Sequence, residues 1–306
     1  MHIQLQDLQL FVQIAEAENL TRGARRAFLS APAASARIKA LEEQLGAQVM
    51  SRSNKGVSLT MAGETLLHHS RLILRQLDFL KDDFTNSGMG GRVRIFANTT
   101  AVTEFLPEFL ARFLAEHPRL SVDLQETLTH DILRGIQDGT ADLGIFSGDA
   151  DTGDLEVFKF SRDRLLLAAP EKHPLANAGE ISFAQTLEHE HIGLHEGSTL
   201  LAFLGGLMEK NGYERALRIK VRSFEAMCRM VEAGVGIGVV PESAARRHAR
   251  TMRLSLLRLT DDWALRDRCV AVRNLSALPR GARVLVDALV RSGVGGDLPV
   301  TSSDQL

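Results

Sequence analysis

The chain has 306 residues, with 36 Lys and Arg against 38 Asp and Glu for a formal net charge of −2, and only two cysteines. Two cysteines cannot build a disulfide framework, and neither they nor the ten histidines fall at C-x-x-C or H-E-x-x-H spacing. The N-terminus shows no signal peptide and no apolar run reaches the length of a membrane span, so the sequence predicts a cytoplasmic chain with reduced thiols at Cys228 and Cys269, no membrane partner, no cofactor and no metal.

Near the N-terminus, Leu8, Phe11, Val12 and Ala15 stand at i, i+3, i+4 and i+7 and predict a covering helix. Residues 21–45 then read as two short helices joined by a tight turn. Thr21 is the expected cap of the first, which runs through Arg22, Ala24, Arg25 and Phe28. Ser30 restarts the pattern, Pro32 falls in the first turn of the second helix, and Gly46 ends it after about Leu45. Ala34, Ile38, Leu41 and Leu45 form its apolar stripe, which leaves Ala31, Ser35, Arg37 and Lys39 facing out.

Small residues at that helix start permit close approach to base edges, while the charges meet phosphates or guanine. An ordinary amphipathic helix pair is the competing explanation, and the flanking segments weigh against it. Val49–Arg52 and Val57–Thr60 read as short strands around Asn54, Lys55 and Gly56, a wing with Arg52 and Lys55 at its tip. Residues 1–60 carry seven basic against five acidic residues, so the basic excess is local to this segment.

The run DLQLFVQIAEAENLTRGARRAFLSAPAASARIKALEEQLGAQVMSRSNKGVSLTMAGETLL, within roughly residues 5–67, resembles the N-terminal domain of the LysR-type transcriptional regulators. The resemblance places Ser30, Pro32 and Ser35 at the start of a recognition helix and Leu41, Glu42, Leu45 and Gly46 in its LE-x-x-LG ending. Arg52, Leu59, Thr60 and Gly63 fit the wing and the exit into the next helix. Gly23-Ala24 replaces two alanines, Ala27 an expected leucine, and Met50-Ser51-Arg52 a phenylalanine pattern. A helical glycine costs about 0.5–1 kcal/mol relative to alanine, so a less stable head is expected.

From the cap Thr60 to about Phe84, Leu66, Ser70, Ile73, Leu77, Leu80 and Phe84 alternate at spacings of four and three, an a/d seam broken at Ser70. A helix of about 25 residues spans roughly 37 Å, too long to bury its stripe on a small head. It is expected to pair with a second copy, rather than pack on its own chain, through Leu66, Ile73, Leu77, Leu80 and Phe84. A dimer reads two half-sites, so the expected DNA partner is a duplex carrying an interrupted inverted repeat.

Ser87, Gly88, Gly90 and Gly91 read as a hinge. Beyond it, strand-like and helix-like runs alternate as in α/β proteins: Val93–Ala97, Thr103–Glu116, Leu120–Gln125, Asp131–Asp138 and Leu143–Phe146. Strands follow at Leu165–Ala169, Ile192–Leu194, Leu217–Val221 and Ile237–Val240, with helices near 199–211 and 224–233. Strand Arg268–Val272 and helix Ala282–Val290 return to the first lobe. Asp138-Gly139, Asp142-Leu143 and residues 234–241 resemble landmarks of the same family's two-lobed, type 2 periplasmic-binding-protein-like effector domain.

Thr99 and Thr100 follow the first strand of this domain, and Ser198 and Thr199 hold the equivalent place in the second lobe. Helix starts collect unsatisfied N–H groups and favour anions, which points to a small carboxylate or phosphate effector, although simple N-capping explains any one hydroxyl equally well. The family resemblance adds Thr129, Ser147 and Phe224 to the cleft lining, and His195 lies beside Ser198 as a further polar candidate. Gly234, Gly236 and Gly238 lead from a helix into a strand, the reverse of a dinucleotide loop, and read as a helix stop. Glu188, His189, Glu190 and His191 read as a solvated loop edge rather than a metal site, and no Ser, His and Asp set is recognisable.

The reading is therefore an α/β protein with a winged helix-turn-helix at 1–60, a dimerisation helix at 61–87 and an effector domain at 92–292. Its lobe 1 takes about 92–162 and 268–292, its lobe 2 about 163–267, and 293–306 form a flexible tail. The function implied is a ligand-responsive transcriptional regulator, not an enzyme, acting as a homodimer or homotetramer with RNA polymerase as a further partner. An α/β cleft enzyme with an association head, and an architectural DNA binder without effector, are the alternatives.

Overall fold

The computed structural model describes residues 3–53, 56–85, 90–212 and 217–293. Asn54 and Lys55, Ser87 and Gly88 of the expected hinge, and the tail from 294 lie outside them. The chain divides into an N-terminal unit, Met1–Gly88 with Gln137–Thr140, and a larger unit of Met89–Ile136 and Ala141–Leu306.

In the N-terminal unit α1 (Leu5–Ala17) buries Leu8, Leu10, Phe11, Val12 and Ile14. Helix α2 (Leu20–Arg26) is capped by Asn19, whose Oδ1 accepts the Arg22 N–H at 2.9 Å, and not by Thr21. An amide at 19 reaches the N–H three residues on; Thr21 lies inside the first turn and is exposed. The helix also stops before Phe28, which has φ 57 and is exposed. Ser30 caps α3 (Ala31–Leu45) through the Ala33 N–H at 3.3 Å, Pro32 sits in its first turn, and Gly46 ends it at φ 66. Ala34, Ile38 and Leu41 are buried as their spacing predicts.

Strands β1 (Met50–Ser53) and β2 (Gly56–Leu59) pair antiparallel from Met50↔Leu59 to Ser53↔Gly56. The wing is anchored at two points. The Glu42 carboxylate accepts the Val49 and Met50 N–H groups at 2.8 and 3.2 Å, and Val57 donates to the Glu18 carbonyl at 3.0 Å. Thr60 accepts the Gly63 N–H at 3.0 Å and starts α4 (Met61–Thr85), as expected.

The larger unit opens with β3 (Gly91–Ala97), a π-helical turn at Ala101–Phe105, α5 (Leu106–Glu116), β4 (Leu120–Glu126), α6 (Thr129–Gln137) and β5 (Leu143–Ser147). Strand β6 (Glu156–Pro170) is one long strand, where the sequence suggested only its second half; the alternating charges of Glu156–Arg164 concealed the rest. There follow β7 (Glu180–Ile181), α7 (Phe183–Thr186), β8 (Ile192–Leu194), α8 (Thr199–Lys210), β9 (Ile219–Val221), α9 (Phe224–Glu232), β10 (Gly238–Pro241), α10 (Glu242–His248) and β11 (Leu254–Leu259). The chain returns through β12 (Leu265–Val272) to α11 (Arg280–Gly293).

The main sheet runs β4-β3-β5-β12-β6-β11-β7, with β10 also on β6. One core gathers Val93, Ile95, Leu106, Phe109, Phe160, Val270 and Leu285; another gathers Leu167, Ile192, Phe224, Val231, Val240 and Leu257. Strand β6 takes part in both halves of the sheet, pairing antiparallel with β10 and β11 in one and with β12 in the other, from Leu265↔Arg164 to Val272↔Glu156. Gly234, at φ 78, stands between α9 and β10 as a helix stop.

Gly23 is not the weakness the sequence suggests. It is buried where α2 crosses α1, and a Cβ there would overlap the backbone of Ile14. Helix propensity alone makes Gly23→Ala stabilising by about 0.5–1 kcal/mol; the overlap makes it destabilising by roughly 1–3 kcal/mol. Hydrogen exchange of the α1 and α2 amides is expected to speed up in the variant, and unchanged or slower exchange refutes the close-approach role.

Candidate nucleic-acid interface and interlobe cleft

The exposed residues of α3 are Pro32, Ala33, Ala36, Lys39, Ala40, Glu43 and Gln44. Lys39 is exposed as predicted, 3.8 Å from Glu43. Ala31 and Ser35 are half-buried at the edge of this face. Arg37 departs from the sequence reading: its Nε donates to Asp7 Oδ1 at 2.8 Å, and its other nitrogens reach Gln6. Position 37 follows Ala34 by three and precedes Leu41 by four, so it lies beside the buried stripe and is captured by α1. Arg52 falls on β1, and Lys55 lies outside the described residues. On α2, Arg25 and Arg26 are exposed basic residues that the spacing argument passed over.

Helix α4 shows two different faces. Leu66, Leu67 and Leu74 pack on the N-terminal core, and Ser70 is fully buried. Leu66 thus belongs to the head, a correction to the seam, because a straight helix drifts about 20° per heptad against a 3.5-residue repeat. Ile73, Leu80 and Phe84 remain 44%, 52% and 82% exposed, with Leu77 half-buried beside them.

In the larger unit a cavity is lined by Asn98, Thr99, Thr100, Ser147, Ser198 and Thr199 together with Asp163 and Arg266. Five of the eight residues predicted for the effector thus converge. The cap of the first helical turn is Asn98, whose Oδ1 accepts the Ala101 N–H at 3.0 Å. Thr99 instead donates to Glu126 at 2.7 Å. Ser198 caps α8, as the plain capping explanation has it, yet also faces the cavity. Thr129 meets Thr199 across the lobes: its N–H donates to the Thr199 hydroxyl at 3.1 Å. His195 Nε2 stands 3.7 Å from Glu126, and its Nδ1 is buried with no hydrogen-bond partner among the described residues. Phe224 is corrected: it is 1% exposed and packs in the second core, because the first residue of α9 points under the helix.

Asp163 lies in the middle of β6 and Arg266 is the second residue of β12, both in runs whose polar alternation reads as solvent-facing. In register Arg266 stands opposite Asp163 and Arg268 opposite Ser161. The Asp163 carboxylate nevertheless bonds the diagonal Arg268 at 2.9 Å, with side-chain exposures of 8% and 11%. Burial pushes the Asp163 pKa up, against the pull of Arg268. Arg266 is left to donate to the Ser147 carbonyl at 2.8 Å and to lie over the Phe203 ring at 4.8 Å. Gly148, at φ 85, makes room for it, since a Cβ there would strike the guanidinium. Desolvation lowers the Arg266 pKa, and no ion pair to it forms among the described residues. Arg266 and Asp163 thus share the wall of a space of about 10 Å³, room for about one water, with Asp149 acting on Arg266 from farther off.

The two thiols do not suit nucleophilic chemistry, since burial pushes both Cys228 and Cys269 up to about 11.

Residues 5–64 match the family profile described as bacterial regulatory helix-turn-helix protein, lysR family, and residues 86–293 that described as LysR substrate binding domain. An uncharacterised HTH-type transcriptional regulator, YnfL of Escherichia coli (strain K12), is 29% identical over 258 residues, which cover 83% of this chain and 87% of YnfL. Among solved structures, a full-length OxyR variant from Pseudomonas aeruginosa has a TM-score of 0.72 at 22% identity, over 94% of this chain and 95% of its own. CbnR, described as a LysR family transcriptional regulator, has a TM-score of 0.64 at 23% identity, over 95% and 99%. These two structures share the fold.

The Arg37 pair supplies a check on the α3 face. For partly exposed charges the coupling is about 0.5–1 kcal/mol, so Arg37→Ala and Asp7→Ala are expected to be non-additive by that amount in a double-mutant cycle of head stability. Strict additivity returns Arg37 to the outward face.

Proposed function

The chain belongs to the LysR family of bacterial transcriptional regulators, and from that premise we propose that its effector is a small anion bound between the lobes and that paired heads read an interrupted inverted repeat. As a member of that family it is a DNA-binding, ligand-responsive regulator; the anion, the pairing and the operator symmetry are the specific content of the proposal. It acts where chromosomal DNA lies, in the cytoplasm.

One observation carries the choice of ligand. Arg266 is a desolvated cation on the cavity wall whose hydrogen-bond partner is a neutral carbonyl; Asp163 bonds Arg268 instead, and Asp149 and Asp163 act on Arg266 without an ion pair to it among the described residues. A carboxylate or phosphate brought to Arg266 makes charge-assisted hydrogen bonds, roughly twice as strong as neutral ones. The hydroxyls of Thr99, Thr100 and Thr199 and the N-terminus of α8 surround the same point and favour the same charge. Because the space is small, the effector enters as the lobes part and is enclosed as they close, an equilibrium it shifts only by its preference for one state.

The pairing rests on α4. Ile73, Leu80 and Phe84 recur at seven and four residues on one exposed face, where a second copy buries them. A twofold pair of heads demands a twofold operator.

Two measurements test the proposal. In a thermal-shift panel of small carboxylates, phosphates, amines and neutral sugars, an anion is expected to raise the melting temperature, by about 2.7 kcal/mol of stabilisation at a hundredfold excess over its Kd. Arg266→Met is expected to abolish that response; a response confined to cations, or retained in the variant, overturns the ligand assignment. Leu80→Asp is expected to halve the hydrodynamic mass of the assembly, and an unchanged mass refutes pairing through α4.

A further inference from the structure

We propose that Phe28, in the turn between α2 and α3, is a DNA contact whose ring packs against deoxyribose at the edge of the groove that α3 enters. The inference rests on α3 being the reading helix of this family.

The fold requires a left-handed residue at position 28 but does not require a phenylalanine there. Its φ of 57 lies in the left-handed region, which a side chain with a Cβ enters at a cost and which glycine or asparagine adopts readily. The conformation is imposed by the end of α2: the Phe28 N–H donates to the Arg25 carbonyl at 3.1 Å and the Leu29 N–H to the Ala24 carbonyl at 2.9 Å. That is a Schellman ending, where glycine is the usual occupant and the apolar contact is made by the following residue. Leu29 fills that role by packing against the N-terminal core. The Phe28 ring is 96% exposed and supports neither the turn nor the core.

A lone exposed hydrophobe needs no explanation. A hydrophobe held in a disfavoured backbone state beside a binding face is a different matter. Arg25 and Arg26 are exposed on one side in sequence, and Ser30, Pro32 and Ala33 begin the exposed end of α3 on the other. The ring therefore continues a surface whose positive charge matches a duplex. At the edge of a groove, beyond the bases, the apolar surface a duplex offers is the C–H face of its sugars, which is present at every sequence.

The experiment uses the full-length protein with Phe28→Asn, Phe28→Gly and Phe28→Tyr. The probes are a duplex selected from a random library by the unaltered protein and a scrambled duplex of the same length. For Asn and Gly the melting temperature is expected to hold or rise while affinity falls roughly tenfold on both duplexes. The salt dependence keeps its slope because no phosphate contact is lost. Tyr, which retains the ring, is expected to bind like the parent. Full affinity in Phe28→Asn overturns the proposal, as does a loss confined to the selected duplex, which assigns the ring to a base. An altered assembly mass in sizing also overturns it, placing the ring between subunits.

Discussion

The cleft depends on how the charges of two crossing strands are paired. Arg266 and Arg268 alternate on one face of β12, and Asp163 on β6 lies directly opposite Arg266. Had the carboxylate taken its direct neighbour, the cavity wall would be neutral there and Arg268 would be the stranded charge. The diagonal bond to Arg268, buried on both sides, reverses this. Such a pair is poor as a stabiliser but costly to break, about 3–5 kcal/mol when one partner is removed. Its consequence is positional: it fixes where the uncommitted positive charge stands, at the point where both lobes meet.

The opposite face of the same strands shows the contrast. Asp267 receives both Lys159 at 2.7 Å and Arg162 at 3.0 Å; burial pushes its pKa up, but the two hydrogen bonds and the two positive charges together hold it below the usual carboxylate range. There, anions are already present and water is near. On the cleft side the guanidinium is desolvated and lies between the Ser147 carbonyl and the Phe203 ring, contributed by β5 and α8. One strand, alternating at period two, thus carries a satisfied outer surface and an unsatisfied inner one.

Much of this was legible wherever local rules decide the outcome. Ser30, Pro32 and Gly46 bound α3 where their capping chemistry puts them, and Thr60 starts α4. The hydroxyls Thr99, Thr100, Ser198 and Thr199 converge because equivalent strand-to-helix junctions face one cavity. What escaped were choices made between distant residues. Thr21 lost the cap to Asn19 by two positions, and Arg37 was taken by Asp7 thirty residues away. Arg266 and Asp163 sit in strands whose polar alternation reads as solvent-facing, and only the pairing register reveals them. Gly23 looked like a propensity defect until the approach of Ile14 gave it a steric purpose. Phe224 and Leu66 have the right neighbours in sequence but the wrong side of their helices.

The closed cleft also bears on which ligands can act. Its lobes already satisfy one another through Thr129 with Thr199 and through Arg247 with Glu104 at 2.9 Å. A neutral guest that merely replaces such bonds gains little, since each exchanged hydrogen bond nets about 0.5–1.5 kcal/mol and the same groups are already paired without it. The proposed anion is different, because Arg266 is hydrogen-bonded to a neutral carbonyl and would gain a charged partner. On the proposed reading, selectivity for charge follows from Arg266 having a neutral carbonyl as its hydrogen-bond partner, and size selectivity from the lobes having to close around the guest. On the same reading, a ligand too large to leave the Thr129 and Thr199 contact in place would favour parted lobes and, by mass action, shift the population the other way.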